Sequence, residues 1–225
     1  RQASDFLMAL QLTGAAKASS LASLQVRLPA VVVGGGLTGV DTATEVQAYY
    51  VKQVEKILER YERLSEQPGA EAVTAGMNDE DRSTLAEFVE HGRAIREERA
   101  RAAAGAREPD FNPLIRAWGG VTVAYRKGMT DSPAYVRNHE EVIKATEEAL
   151  YYAEGLEPLN AEVDEHEHVS ALVCRELSHR DGHWVPTGAE RRLPARAIFI
   201  AAGTVPNTIY EREHHETFKL DGNHF

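Results

Sequence analysis

Short apolar runs alternate with helical patterns along this chain, and their order predicts an α/β fold. Residues 28–33 form an apolar, β-branched run that ends at three consecutive glycines, as a strand buried on both faces does. From residue 38 to about residue 64, apolar side chains recur at helical spacing without a proline, so a long helix is expected to follow this strand. Apolar runs with strand-forming residues return at 121–125 and 196–202.

The second half of the chain predicts a change from parallel to antiparallel pairing. A helix is expected from about residue 138 to residue 150. Alternating segments at 161–164, 169–177 and 184–191 are separated by polar or glycine-containing turns, which is typical of an antiparallel meander. We therefore predict a Rossmann-like parallel sheet with helices on one face and a three-stranded antiparallel meander on the other. Its strands are expected at about 30–34, 121–125, 151–153 and 196–202.

A long insertion interrupts this scheme at about 65–118, because a strand, a helix and the next strand together need only about thirty residues. The insertion has an apolar helical face between residues 85 and 95, followed by a stretch rich in Arg, Glu and Ala. The economical interpretation is a second helix that returns along the first, as an inserted helical hairpin. A solvated spacer without a partner is the alternative.

Composition and charge argue against several classes of function. The 225 residues are 43% hydrophobic, which is enough for a real core, and 25 Lys and Arg against 35 Asp and Glu give a net charge of −10. That charge argues against nucleic acid or an anionic membrane as a partner. No apolar run approaches the roughly 20 residues of a membrane span, so we expect a soluble, cytoplasmic protein. Its single cysteine, Cys174, excludes an internal disulfide. Because the chain opens on Arg1, we expect it to be part of something longer.

The strongest chemical signal is a glycine fingerprint. Gly34, Gly36 and Gly39 form G-x-G-x-x-G directly after a predicted strand and at the mouth of a predicted helix. In a dinucleotide site the first glycine permits the tight turn, the second lets the backbone approach a pyrophosphate, and the third lets helix and strand pack closely. The helix N-terminus then supplies free N–H groups. A glycine-rich turn without a ligand is the alternative.

The end of the second strand indicates which dinucleotide is preferred. A ribose with free hydroxyls is usually held by a carboxylate there, whereas a 2′-phosphate requires cations. The sequence has Arg126 and Lys127 directly after Tyr125 and no carboxylate at that point. NADP(H) is therefore favoured over NAD(H) and FAD. Arg137 is a weaker third candidate, and ordinary surface cations are the alternative explanation.

Three ordered motifs carry a resemblance to a known family. They are LPAVVVGGGLTGVDTATE at 28–45, VTVAYRKG at 121–128 and AAGTVPN at 201–207. Together they resemble the NADPH-binding domain of glutamate synthase small-subunit-like, FAD-dependent pyridine nucleotide-disulfide oxidoreductases. In that family this domain interrupts a larger FAD domain. The resemblance implies that 1–28 is a connector from a missing FAD domain, 29–206 the NADP(H)-binding domain, and 207–225 a return segment.

The resemblance also implies roles for individual residues. Residues Gly34, Gly35, Gly36, Leu37, Thr38 and Gly39 would surround the pyrophosphate, Arg126 and Lys127 would hold the 2′-phosphate where the family has an Arg pair, and Ala202, Gly203 and Thr204 would approach the nicotinamide. Ala202 replaces the family's usual Thr. The insertion is absent from compact members, and we expect it to alter or partly cover the adenosine pocket.

Two functions from different classes follow. The first is an NADP(H)-binding domain that presents the nicotinamide for hydride transfer to FAD, which is expected only in the intact protein because the chain has no second glycine fingerprint. Its partners would be NADPH, the missing FAD domain and an electron-transfer subunit. The alternative is a protein-interaction module with a vestigial nucleotide site, docking a partner subunit through the helical insertion. We assign no catalytic residue, and we expect no metal site because the histidines of the meander are spaced across turns.

Overall fold

A computed structural model of the chain describes residues 1–67 and 69–203, with Ile209, Glu213, His214 and Thr217 beyond them. Within these residues the chain alternates between helices and strands in the order expected of an α/β protein. In chain order the elements are α1 Ala3–Thr13, β1 Ala30–Val33, α2 Leu37–Ser65, α3 Ala70–Thr74, α4 Asp79–Ala104, α5 Asn112–Ala117, β2 Val121–Ala124, a 3-10 turn Met129–Asp131, α6 Pro133–Glu147, β3 Tyr151–Ala153, β4 Leu156–Val163, β5 Val169–Arg180, β6 His183–Pro194 and β7 Ala197–Ile200.

Four strands form a parallel sheet in the order β3-β2-β1-β7. Ala30 of β1 is in register with Val121 of β2 on one side and with Ala197 of β7 on the other. The chain therefore moves outward from β1 to β3 in one direction and returns on the opposite side of β1. This reversal is a topological switch point, and in such sheets ligands bind outside the carboxyl ends of the strands there. The four predicted strands are confirmed.

The two faces of β1 bury different parts of the molecule. Ala30 and Val32 belong to the core that the helices cover, whereas Val31 and Val33 pack with Leu172 of the antiparallel sheet. This alternation follows from the period of two along a strand. The antiparallel sheet has the order β4-β5-β6. The predicted arrangement, helices on one face and a three-stranded meander on the other, is confirmed.

The first residues of the chain pack into this domain. The amino group of Arg1 donates a hydrogen bond to the carbonyl oxygen of Ile198 at 3.0 Å, and Gln2 forms a parallel bridge with Ile200. In α1, the ring of Phe6 meets Phe199 edge to face with 4.9 Å between the ring centroids. Residues 1–13 thus complete one edge of the core, and a role for 1–28 as a connector stays a prediction.

The inserted helical hairpin is present, with α4 packed against α2. At their closest approach a Cβ added to Gly92 would lie 2.7 Å from the carbonyl oxygen of Val54, so only glycine fits between the two backbones. Apolar side chains of α4, such as Phe88 and Ile95, are buried. Among the described helices, none is both long enough and apolar enough to cross a membrane.

The insertion meets the parallel sheet at its amino edge. Glu87 of α4 forms ion pairs with Arg27, just before β1, and with Arg196, just before β7. His91 stacks on Trp118, just before β2, with 3.9 Å between the ring centroids. These contacts lie at the start of the strands, and the expected effect of the insertion on the adenosine pocket stays a prediction. The direction of α2 accounts for this placement, because the helix starts at the carboxyl end of β1 and runs back along the sheet for 29 residues, about 43 Å at 1.5 Å per residue.

One helix boundary differs from the prediction. The pattern predicted a helix from about residue 138, but α6 begins at Pro133, and Ser132 caps it by accepting a hydrogen bond from the backbone N–H of Tyr135. Asn138 itself has non-helical backbone angles inside α6. The prediction therefore found the second part of a kinked helix and missed its first turn, which positions the glycine turn described next.

Candidate functional site

The glycine turn lies at the switch point of the parallel sheet. The N–H of Gly34 donates to the carbonyl oxygen of Ala124 at 3.0 Å, and the N–H of Ala201 donates to the carbonyl oxygen of Val33 at 2.7 Å. Gly34 has a φ of +137°, and an added Cβ would lie 2.3 Å from the carbonyl oxygen of Ala201. Glycine is therefore required here both by backbone conformation and by space.

Gly36 and Gly39 differ in what a side chain would meet. A Cβ added to Gly39 would lie 2.5 Å from the carbonyl oxygen of Gly34, so this glycine lets α2 pack directly on the turn. A Cβ added to Gly36 would meet nothing within 4 Å. Gly36 therefore borders open space, although its φ of −86° is available to any residue. Packing explains the first and third glycines of the fingerprint, but it does not explain the second.

The N-terminus of α2 lies directly beside this open space. Gly36 is the N-cap and supplies no capping side chain, and the first turn contains no acidic residue. Leu37 is half-buried and Thr38 is exposed. The first N–H groups of a helix have no partner within the helix, and together with the helix dipole they favour an anion. The turn thus has the geometry of a phosphate cradle.

Gly35 has a role that the fingerprint does not reveal. It is buried, and a Cβ added to it would lie 2.6 Å from the ring of Tyr125. Its carbonyl oxygen accepts a hydrogen bond of 3.0 Å from the N–H of Ala134 in the first turn of α6. The turn is therefore held between the end of β2 and α6. Sequence reasoning gave no signal for this contact, because it depends on how two distant segments meet.

Arg126 and Lys127 follow β2 at the same edge of the sheet as the glycine turn. Both are exposed, and neither side chain has a hydrogen bond or ion pair within residues 1–67 and 69–203. Their backbone is fixed, since the N–H of Gly155 donates to the carbonyl oxygen of Lys127 at 3.2 Å. Two cations without a partner in the described chain are thus available to an anionic ligand. Arg137 lies on α6 and is also exposed.

The third predicted segment of the site follows β7. Ala202 and Gly203 are exposed immediately beyond the end of this strand, and Gly203 has a φ of +118°. Thr204 lies outside the described residues. The structure therefore brings three predicted segments, the glycine turn, the cation pair and Ala202–Gly203, to the carboxyl ends of three adjacent strands. Their roles in cofactor binding stay predictions.

The antiparallel sheet also reaches this edge, which the sequence pattern did not show. The indole N–H of Trp184, at the start of β6, donates to a carboxylate oxygen of Asp131 at 3.1 Å. The N–H of Met129 donates to the carboxylate of Glu154. Alternation along a strand identifies its faces, but it does not say which loop its end will meet.

A cavity on another side of α2 is a poorer candidate for a phosphate site. A cavity of about 440 Å³ lies between α2 and α4. Its arginines are already paired, Arg96 with Glu62 and Arg99 with Glu55. The ammonium group of Lys56 donates to two backbone carbonyl oxygens of the loop after α1, and burial lowers the pKa of this amine. The cavity therefore offers fewer available cations than the exposed pair after β2.

Cys174 and the histidines between β4 and β5 are explained by packing and by contacts within the fold. Cys174 is buried in β5, and burial raises the pKa of its thiol to about 11, so the reactive thiolate is disfavoured. His166 and His168 lie beside Glu80 of α4, where they link the turn between β4 and β5 to the insertion. Within the part of the chain that the structure describes, no three His, Cys, Asp or Glu side chains are grouped as metal ligands.

No protein-family model matches the chain. The uncharacterized protein RP006 of Rickettsia prowazekii (strain Madrid E) is 34% identical over 230 residues, and the match covers 97% of this chain. The chain spans about 30% of the length of that curated relative. A chain in the crystal structure of the covalent putidaredoxin reductase–putidaredoxin complex is 14% identical with a TM-score of 0.35, over 88% of this chain and 28% of that chain. A similarity of that size carries no argument about activity.

Proposed function

We propose that this chain is the NADP(H)-binding domain of a flavin-dependent oxidoreductase, which presents the nicotinamide for hydride transfer to FAD held outside residues 1–225. One observation carries the proposal. The glycine turn with its open cradle and the exposed pair Arg126–Lys127 lie at the carboxyl ends of adjacent strands, at the switch point of a parallel sheet. That is where dinucleotides bind in this class of fold.

Different residues of the site fit different parts of NADPH. The open space beside Gly36 leaves room for a pyrophosphate next to the N–H groups of Leu37 and Thr38. Arg126 and Lys127 would pair with the 2′-phosphate, since two cations match a group close to dianionic charge. When bound, NADPH supplies a hydride, and the contribution of this chain is to bind and orient it.

The family resemblance extends the proposal to the rest of the protein. In that reading Ala202, Gly203 and Thr204 approach the nicotinamide, and the segments 1–28 and 207–225 connect this domain to an FAD domain. The relative that matches 97% of this chain is much longer, with only 30% of its length covered, which leaves room for such a domain there. An electron-transfer subunit would be the further partner.

The burial of the insertion supports the enzyme over the interaction module. The apolar side chains Phe88 and Ile95 of α4 pack inside this domain, and Glu87 ties α4 to the sheet. The apolar face that a docking helix would offer to a partner is therefore already used. A vestigial nucleotide site would also have no reason to keep two cations beside an intact glycine turn.

Calorimetric titration of the chain with NADPH and with NADH tests the proposal. We expect NADPH to bind more tightly, and its advantage to shrink as salt is raised, because the additional interaction is between exposed charges. Binding of neither nucleotide, or equal binding of both at every salt concentration, would contradict the proposal.

A charge reversal tests the assigned cation directly. Arg126→Glu should weaken NADPH binding at least tenfold and leave NADH binding nearly unchanged, because a hydrogen bond to a charged group contributes about 1.5–3 kcal/mol. Arg93→Glu, the same change on an exposed position of α4, is the matched control. Equal losses for both nucleotides in Arg126→Glu would remove this residue from 2′-phosphate recognition.

A further inference from the structure

The loop that carries Arg126 and Lys127 is held by groups from outside β2. The N–H of Gly155 donates to the carbonyl oxygen of Lys127 at 3.2 Å. The carboxylate of Glu154 accepts from the N–H of Met129. A third hydrogen bond comes from the antiparallel sheet, where the indole N–H of Trp184 donates to the carboxylate of Asp131 at 3.1 Å. The loop thus bridges the two sheets.

Trp184 also fills the space beneath this loop. A Cβ added to Gly128 would lie 3.5 Å from the indole ring, and a Cβ added to Gly155 would lie 3.0 Å from it. Gly128 is buried, although the two residues before it are exposed. The ring of His179 lies 5.5 Å from that of Trp184 and supports it from β5. The indole is therefore wedged between the loop and the turn from β3 to β4.

This arrangement matters because the two cations have no side-chain partners of their own in the described chain. Their placement depends on the backbone from which they extend. Two long side chains on a fixed backbone lose less freedom on binding a phosphate than the same side chains on a loose loop. A contact that fixes the loop therefore strengthens binding of the group that the cations meet, and it leaves the rest of the nucleotide unaffected.

We infer that Trp184 is a positioning residue for recognition of the 2′-phosphate, acting through Asp131 on the loop from Arg126 to Asp131. This inference rests on the proposed function and deepens it, because it places part of the discrimination between NADPH and NADH on the antiparallel sheet. A residue with only a structural role would affect stability, or would affect both nucleotides equally.

Trp184→Phe separates these roles, because phenylalanine keeps an aromatic ring at this position and lacks the donor to Asp131. We expect this variant to bind NADPH about tenfold more weakly, as the loss of one hydrogen bond in a binding loop allows, with NADH affinity changed less than about twofold. Trp118→Phe, at the amino edge of the sheet, is the matched control and should keep the ratio of the unmodified chain. Circular dichroism and thermal unfolding establish that each variant is folded.

Fluorescence supplies an independent measurement. The chain has two tryptophans, so in Trp118→Phe the tryptophan emission comes from Trp184 alone. Adding 2′,5′-ADP should change that emission, and 5′-AMP, which lacks the second phosphate, should change it much less. The difference between the two ligands shows whether binding of the 2′-phosphate changes the surroundings of Trp184.

The outcomes distinguish this inference from the function on which it rests. If the unmodified chain prefers NADPH and Trp184→Phe keeps that preference, or loses affinity for both nucleotides equally, the inference is overturned and the proposed function stands. An emission that responds equally to 2′,5′-ADP and 5′-AMP overturns it as well. If the unmodified chain binds neither nucleotide, both the inference and the proposed function fail.

Discussion

At the scale of single residues, the three glycines of the fingerprint separate folding from binding. Gly34 and Gly39 have no room for a Cβ, because carbonyl oxygens lie 2.3 Å and 2.5 Å from where it would be. Gly36 has room and an ordinary backbone conformation, so neither packing nor strain requires a glycine there. Under the proposed function, the absence of a side chain at Gly36 lets a pyrophosphate approach the backbone.

This contrast gives opposite expectations for two substitutions. Gly36→Val should abolish NADPH binding while lowering the free energy of unfolding by only about 1 kcal/mol, because the side chain enters open space and the main cost is that valine is a poorer N-cap than glycine. Gly34→Ala should destabilise the protein by about 1–3 kcal/mol through overpacking and backbone strain. Calorimetry and urea unfolding on both variants check this. Full NADPH binding by folded Gly36→Val would show that the cradle is not used.

At the scale of elements, the insertion is held to α2 by one close approach and several charged contacts. Gly92 allows the backbones of α2 and α4 to come together, and the ion pair between Arg96 and Glu62, at 2.6 Å, lies at the surface beside it. Exposed ion pairs of this kind contribute little to stability. The packing between the two helices, at Gly92 and around the buried Phe88 and Ile95, is therefore expected to contribute more to the stability of the hairpin than these ion pairs do.

Gly92→Val tests that expectation. The added side chain would overlap the carbonyl oxygen of Val54 and the side chain of Leu58, and it should lower the free energy of unfolding by about 1–3 kcal/mol. Gly76→Val, in the same insertion, is the control because a Cβ there meets nothing within 4 Å. Urea unfolding provides the measurement, and equal stability of the two variants would contradict this role of Gly92.

The turn between α4 and α5 is organised by Glu98, whose side chain is only 6% exposed. Its carboxylate accepts hydrogen bonds from the Arg107 guanidinium, the N–H of Asp110 and the Arg101 guanidinium, which lower its pKa from 4.5 to about 2. The folded state thus favours the ionised form more than the unfolded chain does.

The sign of the pH dependence follows from that shift. The stabilisation from Glu98 is fully present above about pH 4.5 and is lost as the pH falls through about 2. Glu98→Gln should therefore be less stable than the unmodified chain near neutral pH, and the difference should shrink at the acid end of this range. Urea unfolding between pH 2.5 and pH 7 measures it, with the exposed neighbour Glu97→Gln as the control. A difference that does not depend on pH would contradict this assignment.

At the scale of the whole molecule, the two edges of the parallel sheet hold different groups of residues. The carboxyl edge holds the glycine turn and the cation pair. At the amino edge, Glu87 joins α4 to Arg27 and Arg196, and the hydroxyl of Tyr50 lies 2.7 Å from the imidazole Nδ1 of His91. The proposed function therefore predicts that stability and nucleotide binding can be changed independently, at opposite ends of the strands.

Glu87→Gln should show this separation. Removing the charge weakens two ion pairs, and we expect the free energy of unfolding to fall by about 1–3 kcal/mol. The ratio of NADPH to NADH affinity should stay as in the unmodified chain, because the site lies at the other edge. Glu90→Gln, exposed on the same helix, is the control for the loss of one charge. A changed nucleotide ratio in Glu87→Gln would mean that the two edges are coupled.

The sequence by itself determined the features that depend on neighbouring residues. The β-branched runs, the spacing of Gly34, Gly36 and Gly39, and the helical period from residue 38 are local patterns, and they predicted the sheet, the turn and the length of α2 correctly. The position of Arg126 after β2 also followed, since successive parallel strands end at the same edge.

The tertiary structure decided what depends on which distant segments meet. The contacts of Tyr125 with Gly35, of Trp184 with Asp131 and of Glu87 with two arginines join residues far apart in sequence. No local pattern specifies them, because each is set by how the two sheets and the insertion stack. The same physical reason applies to the insertion: the sequence predicted its helices, but its contacts through Glu87 and His91 with the amino edge of the sheet became visible only in the tertiary structure.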